Sequence, residues 1–300
     1  MEFRELKTFQ VVASLLSFNN AANVLHLAQS TVSAQIRSLE NSLGKELFFR
    51  TGKTISLTPA GVKLLAYAQK LINIEKEIQS VLGNLDEASG NLTIKTPQSV
   101  STYFFPDLLR EFQIIFPKVG FDIDWCTSHN LVDLINSGTI DLAFLITDRF
   151  EEKNLQTEGL TKIKLILAVN PQDEILKRKK VTIKDLNDKT LIYAKSECNY
   201  MKIMQNLLIQ SDVKPRKVIS INSLESVKWI LILGDGVAFL PEMVITDELN
   251  KGLIQKLNLL GTDFNAKLVM IWSKEKHISE PLRPFMMKVK KVMQAGYEKT

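Results

Sequence analysis

Two cysteines and three histidines are a small stock of the residues that most often form disulfides or bind metals. Cys126 and Cys198 stand far apart, and two reduced, inert thiols are the expected state in a reducing compartment. Only Lys195 lies near either cysteine, so a low-pKa redox pair is the less favoured alternative. His26, His129 and His277 share no metal-ligand spacing with each other or with the cysteines, so no metal and no cofactor are expected. Long apolar runs are missing too. Stretches such as 165–169 and 227–233 fall well short of the ~20 residues that span a bilayer, so no membrane partner is expected. The start, Met1-Glu-Phe-Arg, has no basic segment followed by an apolar one. The expectation is therefore no secretory signal and a cytoplasmic location. There is no GxSxG elbow, P-loop, GxGxxG or paired metal motif, which argues against an enzyme. Neither repeats nor low-complexity segments interrupt the chain.

What is present begins with size: 300 residues suit two or three domains and a sizeable core. The net charge of +5 is a weak sign of polyanion binding. It is not concentrated at the front, where Arg4, Lys7, Arg37, Lys45, Arg50 and Lys53 face Glu2, Glu5, Glu40 and Glu46. Spacing says more than charge. Ala21, Ala22 and Leu25 fit one buried helical face, and Val32, Ile36 and Leu39 fit another at i, i+4, i+7. The break between them, 26–28, is short enough to read as a helix-turn-helix. On the second helix Ser30, Ser33, Ala34 and Arg37 lie opposite the apolar stripe. Apart from Ala34 these residues can read base edges, although a helical hairpin with a solvated face fits the spacing equally well.

The flanks decide between those readings. Phe3, Leu6, Phe9, Val12 and Ala13 make a first helix. Leu43-Gly44, Leu47-Phe-Phe-Arg50 and Leu57-Thr-Pro-Ala-Gly61 follow the motif in order. This arrangement resembles the N-terminal domain of the LysR-type transcriptional regulators, densely over residues 1–65 and more loosely to the C-terminus. The resemblance implies a sequence-specific transcriptional regulator that binds operator or promoter DNA and answers to a small-molecule effector. Its other implied partners are a second copy of itself, as homodimer or homotetramer, and RNA polymerase. Gln29, Ser30, Thr31, Ser33 and Arg37 match family positions that face bases or phosphates. Lys53, at the tip of a hairpin or wing read from the alternation over 46–58, matches a basic residue that enters the minor groove. Arg50 is placed on the same side. Of the helix positions, Thr31 points away from the Ser30/Arg37 face. Ala34 replaces an arginine common in relatives and offers at most contact with a thymine methyl, so base preference there should differ.

The expected fold is a multidomain α+β chain. It comprises a winged helix-turn-helix over 1–58, a linker helix and hinge over 59–90, and a C-terminal α/β effector domain over 91–300. Thr58-Pro59 is a helix start with a capping hydroxyl and proline at the first position. The helix it opens carries Val62, Leu65, Leu71, Ile74, Ile78, Val81 and Leu82 and needs a partner. That partner is its own domain or, by the resemblance, a second subunit. A hinge follows over 86–91. Beyond it strands and helices alternate, which predicts mostly parallel sheets, with one helix over 100–116 and a closing helix over 281–295. The resemblance implies two subdomains like those of periplasmic binding proteins: 91–161 with 268–300, and 162–267. The crossovers would lie near Lys162 and Lys267.

Ligands of open α/β sheets bind beyond the carboxyl ends of the strands. That logic selects Gln98, Ser99 and Ser101 after the first strand, Thr127 and Ser128 after the second, and Thr147 after the third. It also selects Ser196, and Asn222 with Ser223. Any one of these can be an ordinary helix cap. Ser99 matches a family effector-contact position, and Arg149 and Lys195 suggest an anionic effector. Two rivals from other classes remain, an α/β enzyme with an N-terminal dimerisation module and a passive small-molecule binding protein.

Overall fold

The computed structural model describes residues 1–51, 54–82, 89–125, 130–195, 198–234, 236–262, 264–274 and 278–294. The chain divides into two compact units, one of residues 1–83 with 137–139 and one of residues 84–136 with 140–300.

In the first unit α1 (Phe3–Leu15), α2 (Phe18–Leu25) and α3 (Gln29–Leu43) precede a hairpin of β1 (Phe48–Thr51) and β2 (Thr54–Leu57), and then α4 (Pro59–Leu82). Three of the four helix starts, those of α1, α2 and α4, are capped by a side chain. Glu2 and Glu5 form a capping box on α1, and the Ser17 hydroxyl accepts from the Asn20 N–H at 3.2 Å on α2. Helix α2 ends where His26 turns left-handed at φ 53°, and the Leu27 N–H closes the turn on the Ala22 carbonyl at 3.0 Å. The buried Ala21 and Ala22 leave room for close helix approach. Phe9 and Phe18 both meet the Phe48 ring, at 5.4 and 5.9 Å, so the hairpin is pinned to the helical core. Thr58 caps α4: its hydroxyl accepts from the Gly61 N–H at 3.0 Å and donates to the Glu46 carbonyl at 2.7 Å. Gly61 has to be glycine, because a Cβ there would sit 2.2 Å from the Leu47 carbonyl oxygen.

The second unit runs β3 (Gly90–Thr96), α5 (Gln98–Tyr103), α6 (Phe105–Ile115), β4 (Val119–Trp125), α7 (Leu131–Asn136), β5 (Leu142–Thr147) and β6 (Leu155–Val169). It continues with β7 (Thr190–Ala194), α8 (Cys198–Gln210), β8 (Lys217–Ile221), α9 (Leu224–Ile232), β9 (Val237–Pro241), α10 (Thr246–Asn250), β10 (Gln255–Leu257), β11 (Asn265–Ser273) and α11 (Leu282–Gln294). The strand order is β4-β3-β5-β11-β6-β9-β7-β8, with β10 added to β6. The outer pairs of each half are parallel: β3 with β4 and β5, and β7 with β8 and β9. The middle is antiparallel, which corrects the expectation of mostly parallel sheets. The reason is β6 and β11. Over 155–164 β6 pairs with β11 in the first half, and over 165–169 it pairs with β9 in the second, so one strand belongs to both halves. In this ladder Lys162 stands opposite Lys267.

The single helix expected over 100–116 is two helices. Pro106, in the first turn of α6, lacks the N–H that a continuous helix needs, and the chain breaks at Phe104. Phe105, Phe112, Phe144 and Phe285 fill the core of the first half edge to face. A separate buried layer under α9 includes Leu224, Val227 and Leu231.

Candidate nucleic-acid interface and ligand cleft

Helix α3 is held against the first unit by its fully buried Val32, Ile36 and Leu39. At about 100° per residue, that stripe turns Ser30, Ala34 and Arg37 into one exposed row on the opposite side. Thr31 is exposed too, about a quarter turn from the row, and Ser33 is half-buried at its other edge. The Gln29 carboxamide donates to the Ser33 hydroxyl at 2.9 Å, so these two present themselves as a unit. The turn of α3 about its own axis is set from behind. The Thr8 hydroxyl donates to Gln35 Oε1 at 2.5 Å. A hydrogen bond from Ser38, with help from the Glu2 backbone, holds the Glu5 carboxyl below the usual carboxylate range. Thr8, Glu5, Gln35 and Ser38 were not read from the sequence. Their signal was weak: polar residues on the flank of an apolar stripe. Arg50 lies on β1, and its side chain is outside the described residues, as is the whole of Lys53, between the paired Thr51 and Thr54.

Helix α4 has two apolar sides. Ala68 and Ile72 are buried in the first unit, with Leu64 and Leu65 packed beside them. Lys7 fastens this side through Glu75 at 2.7 Å, and Gln10 through Gln69. Tyr67, Leu71, Ile74 and Ile78 are exposed, by 64, 40, 50 and 52%. Their spacing of four, three and four is the heptad seam of a coiled coil. The expected stripe therefore splits: Leu65 turns inward, Leu71, Ile74 and Ile78 outward. The Val81 and Leu82 side chains lie outside the described residues.

In the second unit, helix α5 joins the two halves. Gln98 Oε1 accepts from the Leu224 N–H, at the start of α9, at 3.0 Å. The Tyr103 hydroxyl donates to the Val244 carbonyl at 2.9 Å. Asn222, exposed, and Ser223 immediately precede that α9 terminus, so the structure brings Gln98, Asn222 and Ser223 together. Ser223 is itself the cap of α9, accepting from the Ser226 N–H at 3.2 Å. Ser99 is fully buried at the start of α5, and the Ser101 hydroxyl donates to the Gln98 carbonyl at 3.0 Å. Thr147 stands apart on the sheet. Its hydroxyl donates to the Arg149 carbonyl at 2.9 Å. Arg149 points to solvent and pairs with Glu151 at 3.2 Å, and Lys195 is exposed. Thr127, Ser128 and Ser196 lie outside the described residues.

Beside Tyr103 sits a cation that sequence reasoning missed. Lys228 is buried on α9 and contacts Glu248 at 2.8 Å and Glu225 at 3.0 Å. Burial works against its charge, but the bonds to Glu248 and Glu225 outweigh it, and its pKa stands above the ordinary lysine value. Burial likewise raises the Tyr103 hydroxyl. The signal was available: a lone lysine inside the apolar run 227–233.

Residues 3–62 match the model of the bacterial regulatory helix-turn-helix protein, lysR family, and residues 85–294 match that of the LysR substrate binding domain. The chain is 31% identical to the HTH-type transcriptional regulator YwqM of Bacillus subtilis, over 95% of this chain and 97% of that one. It is 30% identical to a probable RuBisCO transcriptional regulator of Thalassiosira pseudonana, over 92% and 93%. Among solved structures, its fold is similar to full-length CbnR in complex with target DNA, at 22% identity and a TM-score of 0.67, covering 97% and 99%. It is also similar to a full-length OxyR variant of Pseudomonas aeruginosa, at 21% and 0.71, covering 98% of each.

Proposed function

The chain belongs to the LysR family of transcriptional regulators, DNA-binding proteins with an effector-binding domain rather than enzymes, and from that premise we propose which residues do its work. Gln29, Ser30, Ser33, Ala34 and Arg37 read the major groove from the exposed side of α3, with Thr31 at its margin. Arg50 and Lys53 approach the backbone or the minor groove. The single observation behind this assignment is the exposed row opposite the buried Val32, Ile36 and Leu39. Such a row can enter a groove about 12 Å wide without disturbing the core behind it.

The functional divisions are 1–58 for DNA, 59–90 for dimerisation and hinge, and 91–300 for the effector, the last with subdomains 91–161 plus 268–300 and 162–267. The heptad side of α4 pairs two subunits, and half-site spacing on the operator follows from that pairing. The effector lies where α5 meets the start of α9, near Gln98, Ser99, Ser101, Asn222 and Ser223. Thr127, Ser128, Thr147 and Ser196 line the neighbouring strand ends. An anionic effector suits the N–H groups of a helix start, where the Gln98 carboxamide now accepts from the Leu224 N–H. The regulator works in the cytoplasm and contacts RNA polymerase at its promoters.

A gel shift with DNA from upstream of the protein's own gene tests the DNA assignment. The expected result is a shifted band that specific competitor removes and unrelated DNA does not. Equal competition by unrelated DNA overturns it.

A further inference from the structure

Lys162 on β6 and Lys267 on β11 are directly opposite in an antiparallel ladder, and Lys267 is in turn opposite Thr147 on β5. The three side chains therefore form one row on one side of the sheet. Opposed residues of this kind have Cβ atoms about 4.5–5.5 Å apart, and like charges so placed repel. Neither lysine meets an acid among the described residues. Their neighbour Lys164 differs, because it is neutralised by Glu242 at 2.6 Å. The pair lines a cavity of about 310 Å³ whose other walls include Asp148, Ile163, Phe264 and Ala266. Asp148 is already oriented by the Arg149 N–H at 2.9 Å, and it offsets one of the two charges only in part. The cavity thus combines an excess of unpaired positive charge with an apolar wall at Phe264. Both lysines are exposed, so a ligand can reach them from solvent.

We propose that Lys162 and Lys267 form a binding site for a compact dianion, a phosphate or dicarboxylate group bridging the two crossover strands. The second negative charge is what the site selects, since one ammonium on each strand has to be answered. The site sits beside the junction of the two halves, where β6 stops pairing with β11 after Lys164 and pairs with β9 from Leu165. A bound dianion removes a repulsion there and stiffens the connection through which the halves are joined. None of Gln98, Ser99, Ser101, Asn222 and Ser223 lines this cavity.

Thermal unfolding of the full chain at pH 8 and fixed ionic strength tests the site. Inorganic phosphate, succinate and acetate are the probes. A saturable rise of the midpoint with phosphate alone marks a phosphoryl group, with succinate alone a dicarboxylate, and with both a site that reads charge. Acetate should do nothing. The rise should vanish in Lys162→Met and Lys267→Met and persist in Ser99→Ala. Lys267→Glu gives a reading that does not depend on any ligand. By replacing repulsion with a cross-strand ion pair it should raise the anion-free midpoint by about 1–3 °C and abolish the response. Three results overturn the site: no response to either dianion, an equal response to acetate, or an undiminished response in the lysine variants. A Lys267→Glu midpoint at or below the wild-type value does so as well.

Discussion

The two units use their polar residues in opposite ways. On α3 the row Ser30, Ala34 and Arg37 makes no side-chain hydrogen bond among the described residues, while Gln35 and Ser38 on the same helix carry the fastening to α1. In the second unit the residues selected as ligand contacts are mostly also parts of the scaffold. Gln98 holds the α9 terminus, Ser223 caps that helix, and Thr147 closes on Arg149. The difference follows from shape. A convex reading surface can separate contact residues from framework residues by half a helical turn. A concave site is built from strand ends and helix starts, where the backbone itself needs hydrogen-bond partners. The same serine can then be a cap, a ligand contact, or both.

The largest expected effect tests whether the outward face of α4 is as free as α3's. Leu71→Glu or Ile78→Glu puts a charge into the proposed seam without touching the inward Ala68 and Ile72. Sedimentation should show monomers, and operator affinity should fall by ~10²–10⁴-fold, the loss expected when two linked half-site contacts become one. A native mass with tight operator binding would mean that the exposed heptad packs elsewhere.

Next comes the reading row itself. Arg37→Ala should leave folding intact, because the side chain is exposed, and should weaken operator binding by ~1–3 kcal/mol if it contacts a base. A base contact changes preference at one base pair, whereas a phosphate contact lowers affinity evenly and reduces the salt slope. Fluorescence titration at two salt concentrations separates these. Unchanged affinity at both would take Arg37 out of the interface.

How much was legible in the sequence follows the same division. The first unit's elements, its turn at 26–28, the Thr58 cap and the buried stripe of α3 all come from period and capping chemistry, which are local. The split of α4 into inward and outward faces needed knowledge of what packs against it. In the second unit the alternation identified the main strands, but strand direction did not follow, because β6 and β11 answer to both halves at once. Short elements such as α10 and β10 carry too few residues to show a period. Lys228 and Tyr103 were invisible as partners, since α5 and α9 lie more than 100 residues apart and only the fold brings them together.

Within the second unit, two neighbouring substitutions sharpen the contrast between scaffold and contact. Once screening of small carboxylates by thermal shift has identified an effector, Ser99→Ala should weaken its binding by roughly 1.5–3 kcal/mol, the range for a hydrogen bond to a charged group. Gln98→Ala should in addition cost about 0.5–1.5 kcal/mol of stability by leaving the Leu224 N–H without its acceptor. Calorimetry and unfolding on both variants decide. If Ser99→Ala binds as wild type, Ser99 is framework like its neighbours, and the contrast between the units is complete.

The smallest effect is acid sensitivity, and it can be assigned to each unit separately. Glu5 owes its lowered pKa first to Ser38 and then to the Glu2 backbone, so it joins the start of α1 to α3. Asp185 owes its own first to the Thr182 N–H, at 2.7 Å, in the box that starts the turn at 183–186. A carboxyl with a depressed folded pKa contributes stability above its unfolded value, about 4 for both residue types, and loses it as pH falls through the folded value. Stability should therefore be flat near neutrality and decline below about pH 5 in both units. Trp125, Trp229 and Trp272 all belong to the second unit, so tryptophan fluorescence follows that unit alone, while operator binding reports on the first. Glu5→Gln should flatten the acid decline in operator binding and leave the fluorescence transition unmoved. Asp185→Asn should do the reverse. If Glu5→Gln keeps the wild-type acid slope, the carboxyl's bond to Ser38 does not set the placement of α3, and Thr8 with Gln35 carries that task alone.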